Sequence, residues 1–171
     1  MFKIHSGADK WGRALLKQGS RKDAGDVVAN PIKTQFDLFY LFFLVGVLTG
    51  RQPQGDVEYK DIVRTYPEAY AEYRYIMAGL LLATELAVAG VPIDRKQAQR
   101  KVVDLLRSDT ATFLSADAVE VMNGYAAGGF QLVQERLPTA PGEPHDFLLW
   151  FHNEMIPYCV QNSQWIDSSR R

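Results

Sequence analysis

Two histidines near the carboxyl end, in the run HDFLLWFHNE, have the residue types and spacing that come closest to a metal site. His145 and His152, with Asp146 and Glu154 beside them, offer the nitrogen and oxygen ligands that zinc binds. On one helix, however, residues seven positions apart lie about 10.5 Å apart along the axis, whereas zinc is held by bonds of about 2 Å. The spacing therefore favours two histidines on a packed helix, and the sequence predicts no metal site.

The other chemically reactive residues show no catalytic pattern. Cys159 is the only cysteine and has no activating base that the sequence identifies, and no Gly-x-Ser-x-Gly elbow is present. The pair Gly128–Gly129 lacks the lysine of a phosphate-binding loop and lies in a helical pattern, which favours a close-packing point between helices. The sequence predicts no catalytic residue and no cofactor. An enzyme whose site is assembled from scattered residues such as Glu85 and His152 remains an alternative.

Glu85 is the single acid in the apolar half of the second predicted helix. A buried carboxylate needs a cationic partner, and the sequence offers Arg51 or Arg74. We therefore predict a structural ion pair at Glu85.

Basic residues suggest a nucleic-acid contact as an alternative function. Lys96, Arg100 and Arg107 are spaced by 4 and 7 residues and so share one face of the third predicted helix. Residues 1–35 carry a net charge of +4 and the remainder −5, and this amino-terminal region contributes further cations: Lys10, Arg13, Lys17, Arg21 and Lys22. Such a stripe can follow a phosphate backbone, although the same residues are what an ordinary helix exposes to water.

Clustered aromatic residues favour a protein interface. Tyr66, Tyr70, Tyr73 and Met77 follow one another at spacings of 4, 3 and 4, which places them on one face of the second predicted helix. Aromatic and methionine side chains are enriched at protein–protein interfaces. Aromatic residues also build ordinary cores, but several of these lie on a helix that already has another apolar face, so we predict that the four form a docking surface.

The segment TQFDLFYLFFLVGVLTGR predicts a central helix over residues 34–49, around which the other helices pack. Thr34 can cap its first turn, Asp37 suits the positive amino-terminal end, and Gly50 supplies a left-handed ending. A helix that is apolar on all sides must be covered on all sides.

The remaining pattern predicts an all-α fold, a single-domain bundle of five or six helices around this central helix. Besides the central helix, the predicted helices span 67–89, 95–107 with Asp94 as cap, 116–137 behind Ser115 with a kink or a division at its glycines, and 144–155. Residues 1–30 are predicted as a basic, partly irregular arm with a short helix at 10–17, residues 31–160 as the helical domain, and 161–171 as a tail. No strand alternation is predicted.

Length and composition indicate what kind of protein this chain is and in which compartment it works. The 171 residues fit one domain, and 47% apolar with 23% charged residues is the balance of a globular protein. The apolar segments 38–48 and 76–91 are shorter than the roughly 20 residues of a membrane span. With one cysteine, no intramolecular disulfide can form, and no signal-peptide pattern opens the chain. These features predict a cytoplasmic protein without a membrane partner.

The run NPIKTQFDLFYLFFLVGVLTGR, from Asn30 to Arg51, resembles the start of small helical accessory subunits of prokaryotic anti-phage defence systems. These are three-component systems built on an SMC-like ATPase, of the Lamassu kind. The resemblance covers 22 of 171 residues: a Pro-x-Lys-Thr-x-Phe-Asp-like start, an apolar helix and a closing Gly-Arg. It implies a non-catalytic subunit that docks on an ATPase or effector and helps to sense or hold DNA, and it transfers no functional residue. The predicted function is therefore a helical subunit or adapter of a multiprotein complex.

Overall fold

The central helix α2 spans Gln35–Thr49 and lies at the middle of a predominantly helical domain. Thr34 Oγ1 accepts the backbone N–H of Asp37, and the Asp37 carboxylate accepts the backbone N–H of Thr34 at 2.8 Å, which together form a capping box. Gly50 ends the helix in the left-handed conformation, with φ of 66°. The predicted central helix is confirmed.

The computed structural model describes residues 1–18, 30–92 and 94–163, without the side chains of Lys17 and Gln18. The elements along the chain are β1 (Phe2–His5), α1 (Ser6–Gln18), α2, β2 (Tyr59–Val63), a 3-10 turn (Glu68–Tyr70), α3 (Arg74–Val88), α4 (Lys96–Leu105), α5 (Ala116–Arg136), α6 (Pro144–Trp150), a π-helical segment (Phe151–Met155) and α7 (Ile156–Gln161). The run from α6 to α7 is continuous and is called the C-terminal helix below.

Helices α2 and α5 pack closely at glycines. A methyl group on Gly129 would overlap the backbone carbonyl of Phe42, and one on Gly46 would overlap that of Tyr125. The predicted close-packing role of Gly128–Gly129 is confirmed, since a methyl group on Gly128 would likewise overlap the backbone at Arg51. The predicted division of this helix is wrong, because α5 runs from Ala116 to Arg136 without a break. Gly128 and Gly129 face neighbouring backbone, and Gly124 faces the side chain of Gln52.

A small antiparallel sheet makes the strictly all-α prediction wrong. β1 pairs with β2 from Phe2 opposite Val63 to His5 opposite Tyr59. Phe2 and Ile4 point into the core, while the alternate residues of β1 are partly exposed. In α1, which follows directly, Trp11 and Leu15 are buried as well. Residues 1–18 therefore belong to the domain, where an irregular arm was predicted.

Helix α3 begins seven residues later than predicted. The backbone of Pro67 is extended, with ψ of 153°, so the chain makes a 3-10 turn before α3 starts at Arg74. Gly90 follows the end of α3 with φ of 61°, as predicted for its stop.

The boundaries of two other helices also differ from the prediction. Helix α4 begins after Arg95, which caps it without a side-chain hydrogen bond, and it ends at Leu105 because Leu106 pairs with Leu114 in an isolated bridge. The C-terminal helix continues to Gln161, beyond the predicted end at 155. The backbone of Pro157 has no N–H to donate, and the π-helical segment just before it accommodates the altered hydrogen bonding.

Candidate functional site

An open apolar groove lies between α2 and the C-terminal helix. Its α2 wall is the row Leu41, Leu44 and Leu48, whose side chains are only partly buried although α2 is apolar on every face. The groove has a volume of about 420 Å³, within the range of ligand- and peptide-sized sites. The other faces of α2 are buried in the core. This row is therefore the side of α2 that the described residues of the domain do not fully cover.

The opposite wall comes from the C-terminal helix. Phe151 and Cys159 form its buried part, and Ile156 and Val160 form its rim, with 47% and 54% of their surfaces exposed. Leu149, seven residues before Ile156 on the same helix, is also exposed. The π-helical segment changes the winding of this helix. As a result, its apolar residues spread around more of the helix than the side that faces the core, and some of them stay exposed.

The electrostatics of the groove favour apolar contact over chemistry. Among its described lining residues none carries a permanent charge, and His152 and Cys159 are the ones with titratable side chains. Burial raises the pKa of the Cys159 thiol to about 11, although the Arg136 guanidinium opposes the shift. A protonated thiol is a poor nucleophile and a poor metal ligand.

The predicted tyrosine surface is divided by the structure. The Tyr66 ring packs on Phe2, with centroids 4.9 Å apart, and the Tyr70 hydroxyl donates a hydrogen bond to Asp37 at 2.6 Å. Burial, followed by the bond to Asp37, raises the pKa of Tyr70. Tyr73 is 47% exposed, whereas Met77 is fully buried.

Of the four predicted docking residues, only Tyr73 is therefore exposed, and Met77 is a core residue. The predicted shared helical face is wrong, because Tyr66 and Tyr70 precede α3 and helical spacing does not apply to them. A docking role for Tyr73 stays a prediction.

Two of the three basic residues that were predicted to share one face of the third helix lie close together in the structure. Lys96 and Arg100 are exposed and line one shallow depression with Asp104, so a carboxylate accompanies the two cations. Arg107 is exposed too, but it lies beyond the end of α4 and is not on its helical face.

The amino-terminal cations are on a different set of elements. Lys10 is exposed on α1, and Arg13 forms an ion pair with the buried Asp9 at 2.6 Å. Arg21 and Lys22 lie outside the described residues, as does the side chain of Lys17. Because α1 packs against α2, α6 and the sheet, whereas α4 packs against α3 and α5, the two sets of cations have different neighbours.

Glu85 has structural partners, but not the predicted ones. Its carboxylate pairs with Lys101 at 2.8 Å and accepts the hydroxyl hydrogen of Tyr125 at 2.9 Å. Arg51 instead pairs with Glu135, and the Arg74 guanidinium stacks over Tyr75 and Phe113. Sequence reasoning missed Lys101 because α3 and α4 meet only in the folded chain.

Neither a metal site nor a membrane span is found in the part of the chain that the structure describes. No group of three or more His, Cys, Asp or Glu side chains there is placed to hold a metal ion. His145 and His152 are both exposed on the C-terminal helix. No described helix has the length and apolar character that a membrane crossing requires.

Comparison of the chain with protein families, with curated proteins and with solved structures gave no match. Sequence reasoning did not identify the groove, although one signal for it was present: the apolar positions between 147 and 160 are too many for a single buried face.

Proposed function

We propose that this protein is a non-catalytic helical adapter, which binds an apolar helix of a partner protein in the groove between α2 and the C-terminal helix. The observation that carries the proposal is the open row Leu41, Leu44 and Leu48, on a helix whose other apolar residues apart from Tyr40 are buried. An amphipathic helix commonly binds such a groove through apolar side chains spaced by three, four and seven residues.

The composition of the groove supports an adapter over an enzyme. Catalytic sites place titratable groups with shifted pKa values around a cleft. In this groove the thiol of Cys159 has a raised pKa and so stays protonated, and no charged side chain is among the described lining residues. Apolar walls instead suit an interface core, from which charged residues are depleted.

The resemblance of residues 30–51 suggests which partner to test first. It points to an SMC-like ATPase of a prokaryotic defence assembly, and hence to a cytoplasmic complex. We propose that ATPase, or another protein encoded beside this chain, as the source of the docked helix.

Co-purification from cells that express the chain with its neighbouring gene products tests the adapter function. Ile156→Glu combined with Val160→Glu places two charges on the exposed rim of the groove. We expect recovery of the partner to fall at least about tenfold, because a docked helix would cover both charges and burying an unpaired charge costs on the order of 2 kcal/mol or more.

Val103→Glu provides the matched control, since Val103 is 70% exposed on α4 and is not a groove residue. The control variant should retain the partner, and circular dichroism should be the same for all three proteins. Equal partner recovery by the rim variant and the wild type would contradict the proposal, as would failure of every co-expressed protein to co-purify.

A second candidate function, nucleic-acid contact, is favoured by Lys96 and Arg100 on α4. Both are exposed, and neither forms an ion pair with a residue that the structure describes. If they bind phosphates, Lys96→Glu with Arg100→Glu should weaken DNA binding and reduce the slope of log affinity against log salt by about 2. Arg64→Glu, at an exposed cation just after β2, is the control. An unchanged slope would exclude this role.

A further inference from the structure

Helix α4 is attached to the domain by few side chains. Ala98 and Leu105 are its buried residues, while most of the others are exposed. Among the described residues, Lys101 is the one α4 side chain that forms an ion pair or hydrogen bond with another element. An element with so little burial has little to hold it closed beyond a few specific contacts.

Two side-chain contacts hold this segment down, in addition to the burial of Ala98, Leu105 and Thr112. The first is the ion pair of Lys101 with Glu85, whose carboxylate is also bound by the Tyr125 hydroxyl. The second is a stack in which the Arg74 guanidinium lies over Phe113, 4.6 Å from the ring centroid. The stack anchors the loop that follows α4.

The chain has unusual backbone conformations on both sides of α4. Gly90, after α3, has φ of 61°, and Phe113, after α4, has φ of 57°. Glycine adopts the left-handed region freely, but a residue with a Cβ atom is strained there. At Phe113 that strain is offset by the ring stacking and by a hydrogen bond from Arg107 N–H to the Phe113 carbonyl at 3.0 Å. Loss of the stack would release the strain and favour detachment of the loop.

We propose that residues 94–113 form a strap, which opens as one unit between Gly90 and Leu114. The rest of the domain stays folded, including Leu114 in the core and Ser115, which caps α5. The ion pair at Lys101 and the stack at Phe113 are its two latches. Opening separates Lys101 from Glu85 and uncovers the surface beneath Ala98 and Leu105. A ligand that binds only the open form would shift the population toward it. This inference does not depend on the groove or its partner.

Hydrogen exchange of the full chain, followed by mass spectrometry, tests the strap. In the wild type, amides of residues 101–105 should exchange through a partial opening whose free energy changes only weakly with denaturant concentration. Amides of α5 should exchange only when the whole domain unfolds. Because this comparison uses the unaltered chain, it does not depend on any variant folding. Exchange of α4 and α5 with the same denaturant dependence would overturn the proposal.

A matched pair of variants tests the latch. Lys101→Met removes the cation from Glu85, and Lys96→Met makes the same change at an exposed position of the same helix. We expect Lys101→Met to speed exchange at 101–105 about tenfold or more without changing α5, and Lys96→Met to change neither. Equal acceleration of α4 and α5 by Lys101→Met, or equal effects of the two variants on α4, would show that Lys101 is not a latch and would overturn the proposal.

Discussion

Gly129 of α5 lies directly against the backbone carbonyl of Phe42 in α2, so that no side chain separates the two helices at this point. Gly46 lies against the carbonyl of Tyr125 in the same way. This close approach brings the large side chains of both helices, including Phe42 and Phe130 at 5.2 Å between centroids, into one aromatic core. The α2 wall of the groove is therefore held by the close crossing of α2 and α5.

The first prediction concerns this crossing. Gly129→Ala should lower the free energy of unfolding by about 1–3 kcal/mol or more, because the added methyl forces two backbones apart. Gly79→Ala is the control. Gly79 is exposed within α3, and a methyl group added there would meet no other atom. Alanine at this position should raise the free energy of unfolding by about 0.5–1 kcal/mol. Urea unfolding measures both. Equal stability of Gly129→Ala and wild type would contradict the packing described.

Local signals explain which parts of the fold could be predicted from sequence. The limits of α2 follow from Thr34, Asp37 and Gly50, and each acts within one helical turn. The start of α5 likewise follows from Ser115, whose hydroxyl accepts the backbone N–H of Ala118. The strand β1 was missed because its alternation of buried and partly exposed residues lasts only from Phe2 to His5, too short to stand out before its pairing with β2 is known.

Features that depend on distant residues could not be predicted. The partner of Glu85 is set by how α4 packs on α3, which left Lys101 indistinguishable in sequence from Arg51 or Arg74. The groove depends on the relative position of α2 and the C-terminal helix, about 100 residues apart in the chain. The sequence therefore indicated that the central helix must be packed on all sides. It did not indicate which side of that helix is left partly exposed, and so it did not locate the groove.

The second prediction concerns pH. Asp9 is 2% exposed and accepts hydrogen bonds from Arg13 and Gln35, with Lys60 at 3.0 Å. Burial alone would raise its pKa, but Arg13 and Lys60 together lower it. Because the folded pKa lies below the unfolded value of about 3.9, the stabilisation is complete above that value and is lost as the pH falls through the folded pKa.

Asp9→Asn should therefore cost about 1–3 kcal/mol at neutral pH and flatten the loss of stability below about pH 4. Asp56→Asn, at an exposed loop position, should leave both the stability and its pH dependence unchanged. Denaturant unfolding between acid and neutral pH gives both quantities. An acid limb as steep in Asp9→Asn as in wild type would refute the role of this carboxylate.

The third prediction separates a structural tyrosine from an exposed one. Tyr70→Phe removes the hydroxyl that donates to Asp37, so unfolding should become easier by about 1–3 kcal/mol, as for hydrogen bonds to charged groups. Tyr73→Phe makes the same change where the hydroxyl has no hydrogen bond to a described residue, and its stability should match wild type. Thermal melts of the two variants suffice. Equal melting temperatures would mean that the Asp37 contact contributes nothing.

The fourth prediction uses the single thiol as a reporter of the groove. Cys159 is 2% exposed in the groove wall, and burial raises its pKa to about 11. The thiolate is the nucleophile that attacks a disulfide reagent and releases its aromatic thiolate, so at pH 8 the native chain should react with an aromatic disulfide at least about tenfold more slowly than the chain unfolded in guanidinium.

The reaction rate should also rise with pH up to about 11, as the thiolate forms. Because the chain has one cysteine, Cys159→Ser should abolish the signal and thereby confirm its source. A partner helix bound in the groove should slow the native reaction further, since it covers Ile156 and Val160 beside the thiol. Rapid labelling of the native chain at pH 8 would mean that the thiol is not buried as described, and an unchanged rate in the complex would place the partner elsewhere.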